Sequence, residues 1–518
     1  MLFNSVYFLF LFLPILLIGF YLLAATPLRI FCRPLLILAT LVFYAIGGWS
    51  FLPLLLASTV FNFTAGHIVG RLMDRPGLQK LALAAAVVLN LLLLGYFKYF
   101  NFLLRSLNAA FGPTFEIEAI ILPLGISFFT FQQIGYLVDV ARKKVEAGKP
   151  LDYANFILFF PQLLSGPIVQ FNETVPQFRK LPLTGIAGRN ILIGLTIFAI
   201  GLFKKTVIAD TAALYASPVF LAGRAGDAIG LLDTWLAAFA YTAQIYFDFS
   251  GYSDMAIGTA RMFGIILPLN FHSPLRAASV VEIWRRWHIS LGRWVQAYIF
   301  QPITVPLTRM AAMRGFGRWG TLGLGVVIPT MVSMLIIGVW HGGTWTFVVF
   351  GLLQGIYMST NELWAEFRRK ARKARKKAGE SAPLWHRPLA IAATLLAFNI
   401  SIIPFGIPDL SSMFHMFGAM AGLGPVLVVP ADWPFGAGAA LVTLVLTYAA
   451  IFFMPNTQQI MGRFEPVLES QKWLKTDAGP LAFEWKMGAL WALLTGFVLF
   501  LGVAFIMRGT TQFIYLDF

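Results

Sequence analysis

Residues 3–23 read FNSVYFLFLFLPILLIGFYLL, an apolar run without a single charge. A helix needs about 20 such residues to cross a bilayer. No basic cluster precedes the run and no small-residue cleavage site closes it, so it reads as a retained transmembrane helix (placed at 4–25) and not a removable leader. Comparable runs recur near 30–48, 51–70, 80–97, 119–140, 190–222, 228–247, 252–268, 321–340, 344–364, 389–406, 436–455 and 486–507. Lys204 and Lys205 interrupt the run at 190–222. The expectation is an all-α, polytopic integral membrane protein with about 11–13 transmembrane helices plus re-entrant segments.

Composition agrees. Of 518 residues, 58% are hydrophobic and 12% charged, with a mean hydropathy of +0.76. A soluble domain is about 25% charged, and a disordered chain lacks this apolar mass. Cys32 is the one cysteine, which excludes an intramolecular disulfide and argues against a thiolate metal centre. The formal charge of +16 would point to nucleic acid in a soluble protein. In a membrane protein it marks cytoplasmic loops, and no nucleic-acid partner is expected. Arg29 and Arg33, then Arg71, Arg75 and Lys80, then Arg142, Lys143, Lys144 and Lys149 fall in alternate loops. That bias places the N-terminus outside and these loops in the cytoplasm. RRKARKARKK at 368–377 lies within a basic cytoplasmic loop, 366–388. Residues 1–518 read as a single membrane domain, ending in C-terminal transmembrane helices over 389–518.

Two stretches depart from spanning helices. NFILFFPQLLSGPIVQF at 155–171 is too broken by Pro and Gly, and EIWRRWHISLGRWVQAYIF at 282–300 carries Arg285, Arg286, His288 and Arg293. Broken or charged backbone at membrane depth is tolerated where protein or a water-filled cavity surrounds it, so both read as re-entrant or interfacial elements.

Ionisable groups inside apolar sequence are the candidates for chemistry. His67, His386, His415 and His272 sit at helix ends or in loops and read as structural. His341 lies in LIIGVWHGGTWTFVVFG, at the apex of a hairpin between apolar helices. Desolvation favours the neutral imidazole, the form a general base needs, and Gly342 and Gly343 allow close approach. A histidine capping the helix through a carbonyl is the competing reading, and the residues alone leave both open. In WRRWHISLGRW, a continuous helix would put Trp284, Trp287 and His288 on one face and Arg285 elsewhere. That is either a cationic, aromatic-walled anion site or an interfacial Trp/Arg belt. In YTAQIYFDFSGYSDMAIGTARMFG (241–264), Asp248 and Asp254 stand six residues apart, off a shared face, with Gln244 nearby. FSGYS reads as a helix break, with the carboxylates capping or paired to arginines. No metal pattern, phosphate loop or G-x-S-x-G elbow is present.

The strings LPLGISFFTFQQIGYLVDV (122–140), FFPQLLSGPIVQF (159–171), YTAQIYFDFSGYSDMAIG (241–258), EIWRRWHISLGRWVQAYIF (282–300) and GVWHGGTWTFVVFG (338–351) occur in that order. Together they closely resemble the membrane-bound O-acyltransferase (MBOAT) family, and within it the bacterial branch of alginate O-acetyltransferase membrane subunits. FNSVYFLFLFLPI and GYFKYFNF (95–102) fit that branch as well. The resemblance runs over roughly 3–365 and implies an MBOAT fold around a tunnel, with a catalytic core at 119–365. It places the family's W-H-G histidine on His341 and its second histidine on His288. It implies acetyl-CoA as donor, no bound cofactor and no metal. His341 would act as general base while His288 orients the acceptor or stabilises the oxyanion. Trp340, Trp287, Arg285, Arg286, Asp248 and Gln244 are further donor- or substrate-binding candidates, the arginines (with Arg293) for CoA phosphates. The acetyl group would pass to an exopolysaccharide such as alginate through a periplasmic acetyltransferase or carrier partner. The alternatives are a D-alanyl-transferring relative acting on teichoic acid, with a carrier-protein thioester as donor, and a transporter that forms no covalent product.

Overall fold

The computed structural model describes residues 1–117, 120–378, 385–474 and 480–509. Residue 119 of the expected core, 379–384 of the basic loop, and 475–479 and 510–518 of the C-terminal segment lie outside the described residues. Among the described residues every regular element is a helix. That is the physical requirement in a bilayer, where a helix satisfies its own backbone groups.

The first half of the chain supplies α1 (Leu13–Ala24), α2 (Cys32–Gly48), α3 (Leu52–Arg71), α4 (Pro76–Leu94), α5 (Phe100–Phe111) and α6 (Ile126–Ala141). Pro14, Pro53 and Pro76 stand in the first turns of α1, α3 and α4, where a missing N–H leaves no carbonyl unpaired. Next come α7 (Ala187–Phe203), α8 (Asp210–Ala225) and α9 (Leu231–Met262), followed by the short α10 (Val280–Arg286) and α11 (Ile289–Val295). The chain continues as α12 (Gln301–Met313), α13 (Ile328–His341), α14 (Trp345–Phe367), α15 (His386–Gly406), α16 (Leu410–Met420), α17 (Gly436–Phe453) and α18 (Ala489–Ile506). Among the described residues, seven helical stretches are long and apolar enough to cross a membrane, three of them 45, 36 and 42 residues long. The protein is a multi-pass helical membrane protein.

The re-entrant stretch after α6 forms three short helices, Pro150–Ile157, Phe160–Leu163 and Phe171–Phe178. Phe156, Phe159, Phe160 and Phe178 are fully buried, so this broken backbone is enclosed by protein. The basic run is helical over Arg369–Lys377.

Two local expectations are corrected. The helix does not break at FSGYS: α9 runs unbroken for 32 residues, about 48 Å at 1.5 Å per residue. Its polar groups are satisfied sideways, so its backbone need not open. Lys205 Nζ lies 2.8 Å from both Asp210 and Asp248, and Lys204 Nζ lies 2.7 Å from Asp254, so the carboxylates pair with lysines and not arginines. Asp254 also accepts from Thr457 and Gln458. The glycine in FSGYS serves close packing instead. A Cβ on Gly251 would meet the Gly201 carbonyl oxygen at 2.6 Å, and Gly258 faces Gly194 equally closely, so α7 and α9 touch backbone to backbone.

The second correction concerns WRRWH, which is not one helix. α10 ends at Arg286, and His288 stands at φ 45°, ψ 51° in the left-handed region as the residue before α11. The segment 270–272 pairs with this turn: His272 N donates to Arg286 O and Ile289 N to Asn270 O, both at 2.9 Å. The Arg286 carbonyl and the Ile289 N–H that a continuous helix would have used are thereby satisfied elsewhere.

Candidate active site

Asn270 ties three separate segments to the His288 turn. Its Oδ1 accepts from Ser290 Oγ at 2.8 Å, and its Nδ2 donates to Ser253 Oγ of α9 at 3.0 Å. Ser290 Oγ in turn accepts from Ile168 N of the broken 159–171 stretch at 2.9 Å. The His288 turn is thus held by the Asn270 segment, α9 and the 159–171 stretch together, in a conformation about 1–2 kcal/mol less favourable for an ordinary L-residue. Its ring lies 4.8 Å from Phe249 and 6.0 Å from Trp340, centroid to centroid.

His341 is the last residue of α13, and the chain leaves the helix through Gly342 and Gly343. A Cβ on Gly342 would clash with the Phe347 ring, and one on Gly343 would meet Lys98 O and Phe102 Cβ at 3.0 Å. Both glycines therefore permit a packing that any side chain would block. The His341 imidazole lies against Trp340 at 5.0 Å and Phe405 of α15 at 4.9 Å. Trp340 contacts both histidine rings and belongs to a stack: Phe131 of α6 lies 5.5 Å from it, and Trp294 of α11 lies 4.0 Å beyond, nearly parallel to Phe131. Trp294 Nε1 is fixed by donation to Phe131 O at 2.9 Å. Such stacked aromatic contacts contribute about 0.5–1.5 kcal/mol each beyond burial. Leu122–Phe128, Leu164, Ser165, Trp340, His341 and Lys98 line a cavity of about 40 Å³. That is room for a few waters, which need about 10–15 Å³ each by this measure. All five ordered motifs converge here.

The other sequence candidates lie elsewhere. Trp287 packs against Phe271 and Phe398 at 5.2 and 5.5 Å. Arg285 is exposed, Arg286 pairs with Glu282, and Arg293 pairs with Glu173. Asp248 is held by Lys205, and Gln244 is buried on α9. Of the remaining histidines, His67 Nδ1 bonds Phe63 O, His415 Nε2 bonds Asp227 O, buried His272 pairs with Asn456, and His386 is exposed. No group of three or more His, Cys, Asp or Glu among the described residues is arranged to hold a metal.

Sequence reasoning missed Lys98, which faces the same cavity as His341. A lone cation beside the apolar run 80–97 was the available signal, but a search confined to histidines passes over it. It also missed Phe405, whose ring on α15 closes over His341 from a segment with no distinctive motif.

A second, larger cavity of about 1400 Å³ opens between α14 and α15, lined in part by Arg368, Arg369, Lys373, His386 and Trp364. Further along the same helices Trp284 Nε1 donates to Gln354 Oε1 at 3.0 Å, and Gln354 Nε2 donates to Ser401 Oγ at 2.7 Å. Beyond that bar, Phe350 and Phe405 face His341.

The multi-pass helical bundle encloses two buried histidines, His288 and His341, whose rings both contact Trp340, and this is the candidate active site. The family model of MBOAT, the membrane-bound O-acyltransferase family, matches residues 41–385. The chain belongs to this family, and it is an O-acyltransferase. It is 36% identical over 453 residues to the peptidoglycan O-acetyltransferase of Helicobacter pylori, covering 82% of this chain and 81% of that one. It is 33% identical over 534 residues to the probable alginate O-acetylase AlgI of Pseudomonas putida, covering the full length of both. That similarity extends past residue 365, where the motif resemblance stops. A teichoic acid D-alanyltransferase of Streptococcus thermophilus is 27% identical over 287 residues, or 54% of this chain and 68% of that one.

Proposed function

We propose that this protein transfers acetyl groups from acetyl-CoA on the cytoplasmic face of a bacterial inner membrane to an acceptor outside, leading to O-acetylation of an extracellular polysaccharide. The observation that carries the reading is that His341 and His288, 53 residues apart in sequence, both pack on the Trp340 ring. In this reading His341 accepts the proton of the acceptor hydroxyl as its oxygen attacks the thioester carbonyl, which is worth about 10²–10⁴-fold. His288, fixed by Asn270 and Ser290, orients the acceptor. The basic groove of Arg368, Arg369 and Lys373 is the donor mouth, since these cations suit the phosphates of CoA better than the paired Arg286 and Arg293 do. The names of the relatives support polysaccharide or peptidoglycan as the final acceptor. Passage through a periplasmic partner protein completes the route.

The test uses inside-out vesicles from cells that make the protein, which enclose the native acceptors and expose the donor face. Labelled acetyl-CoA added outside is expected to yield alkali-labile label inside, and H341A to abolish it while the protein still inserts. Label transfer that persists in H341A would remove the general-base assignment. Transfer only from a carrier-protein thioester would overturn the donor.

A further inference from the structure

Lys98 is an unusual cation for this fold. The other lysines deep in the bundle, Lys204 and Lys205, are each held at 2.7–2.8 Å by carboxylates. Among the described residues Lys98 has no ion pair and no side-chain hydrogen bond; its Nζ lies 5.6 Å from the Trp340 ring centroid. A cation within a membrane bundle is costly and is retained where it meets something anionic. Here no carboxylate lines the cavity that Lys98 shares with Trp340 and His341.

Its position is built by the backbone. Gly95–Tyr99 forms a π-turn between α4 and α5, a distortion frequent at functional sites. The turn after α13 is docked on it through Gly343 against the Lys98 carbonyl and Trp345 against Phe102 at 5.5 Å. Lys98 lies about 33 Å along its helical stretch from Pro76, and His341 precedes a helix of similar length that leads to Arg368. Both residues thus lie about 33 Å of helix away from the basic segments, Lys98 within its stretch and His341 at the turn before its helix.

We propose that the Lys98 ammonium is a catalytic cation of this site, stabilising the oxyanion that forms on the acyl carbonyl. This rests on the acyl-transfer reading above. The acceptor oxygen bonds to the carbonyl carbon, its proton passes to His341, and the carbonyl electron pair moves onto oxygen beside Lys98. The intermediate collapses with cleavage of the carbon–sulfur bond, and the departing thiolate takes the proton from His341. An O-acetyl ester and free thiol result. The charge on Lys98 is preorganised by its packing on Trp340 and is opposed by no resident anion, so it acts most strongly in the transition state.

The experiment is the vesicle assay with labelled acetyl-CoA, run on wild type, H341A, K98M and K98R. Lys98→Met is expected to lower kcat by about 10²–10³-fold, the range for losing one oxyanion partner, with KM for acetyl-CoA changed less than about threefold. Lys98→Arg, which keeps the charge, is expected to recover most of that loss. Three results overturn the proposal: kcat of K98M within threefold of wild type, a loss confined to KM, or K98M and K98R both reduced in thermal stability in parallel with activity. If wild type transfers label and H341A does not, any of these results removes Lys98 alone. If wild type transfers nothing from acetyl-CoA, the proposed function fails and this inference with it.

Discussion

Lys205 Nζ lies 2.8 Å from Asp248 Oδ1, with both side chains at most 2% exposed. The pair joins α9 to the π-turn Lys204–Ala209 that follows α7. Ion pairs of this kind contribute little beyond what desolvation takes, but removing one partner strands the other. Because Asp210 still holds Lys205 at 2.8 Å, Asp248→Ala is expected to cost less than the roughly 3–5 kcal/mol of stranding a buried charge, read as lost folded yield and a lower Tm in detergent. Activity per folded molecule should stay within threefold of wild type. A normal yield with abolished activity would instead return Asp248 to the substrate.

The left-handed backbone at His288 makes its own prediction. Asn tolerates this region far better than Ala. His288→Asn should therefore keep more folded protein than His288→Ala, a difference of about 1 kcal/mol or more in stability. Both variants should lose acyl transfer. Equal Tm values for the two would contradict the left-handed turn.

Close packing of α7 on α9 depends on absent side chains. A Cβ at Gly201 would lie 2.6 Å from the Gly251 carbonyl oxygen, whereas one at Gly438 in α17 meets nothing within 4 Å. Gly201→Ala should cost about 1–3 kcal/mol as the helices are forced apart. Gly438→Ala should be neutral or slightly stabilising, because alanine favours helix. Thermal unfolding of the two variants side by side checks the contrast.

Acid sensitivity should trace in part to Asp152. Burial raises its pKa, but the opposing hydrogen bonds and charges of Arg179 and Arg33 win, and the carboxyl is held below its usual value. A depressed carboxyl contributes stability that is present above its unfolded value, about 3.9, and is lost as pH falls through the lower folded value. Tm should therefore drop on acidification below about pH 4, and Asp152→Asn should be less stable at neutral pH and lose that share of the acid dependence. A D152N curve parallel to wild type throughout would exclude this ion-pair cluster as the cause.

The membrane class, the helical fold and the two histidines are legible from residue order alone. Hydrophobic runs of spanning length dictate helices because lipid offers no partner for an open backbone, and polar groups inside such runs stand out by their cost. Local pattern could not decide where a helix ends when its polar groups find lateral partners. α9 passes straight through FSGYS because Lys204 and Lys205 meet its aspartates from another helix, while WRRWH breaks because the distant segment 270–272 takes its backbone hydrogen bonds. Nor does residue order reveal that Lys98 and His341, 243 positions apart, face one cavity. Proximity of that kind is produced by packing helix on helix, and only the tertiary structure decided it.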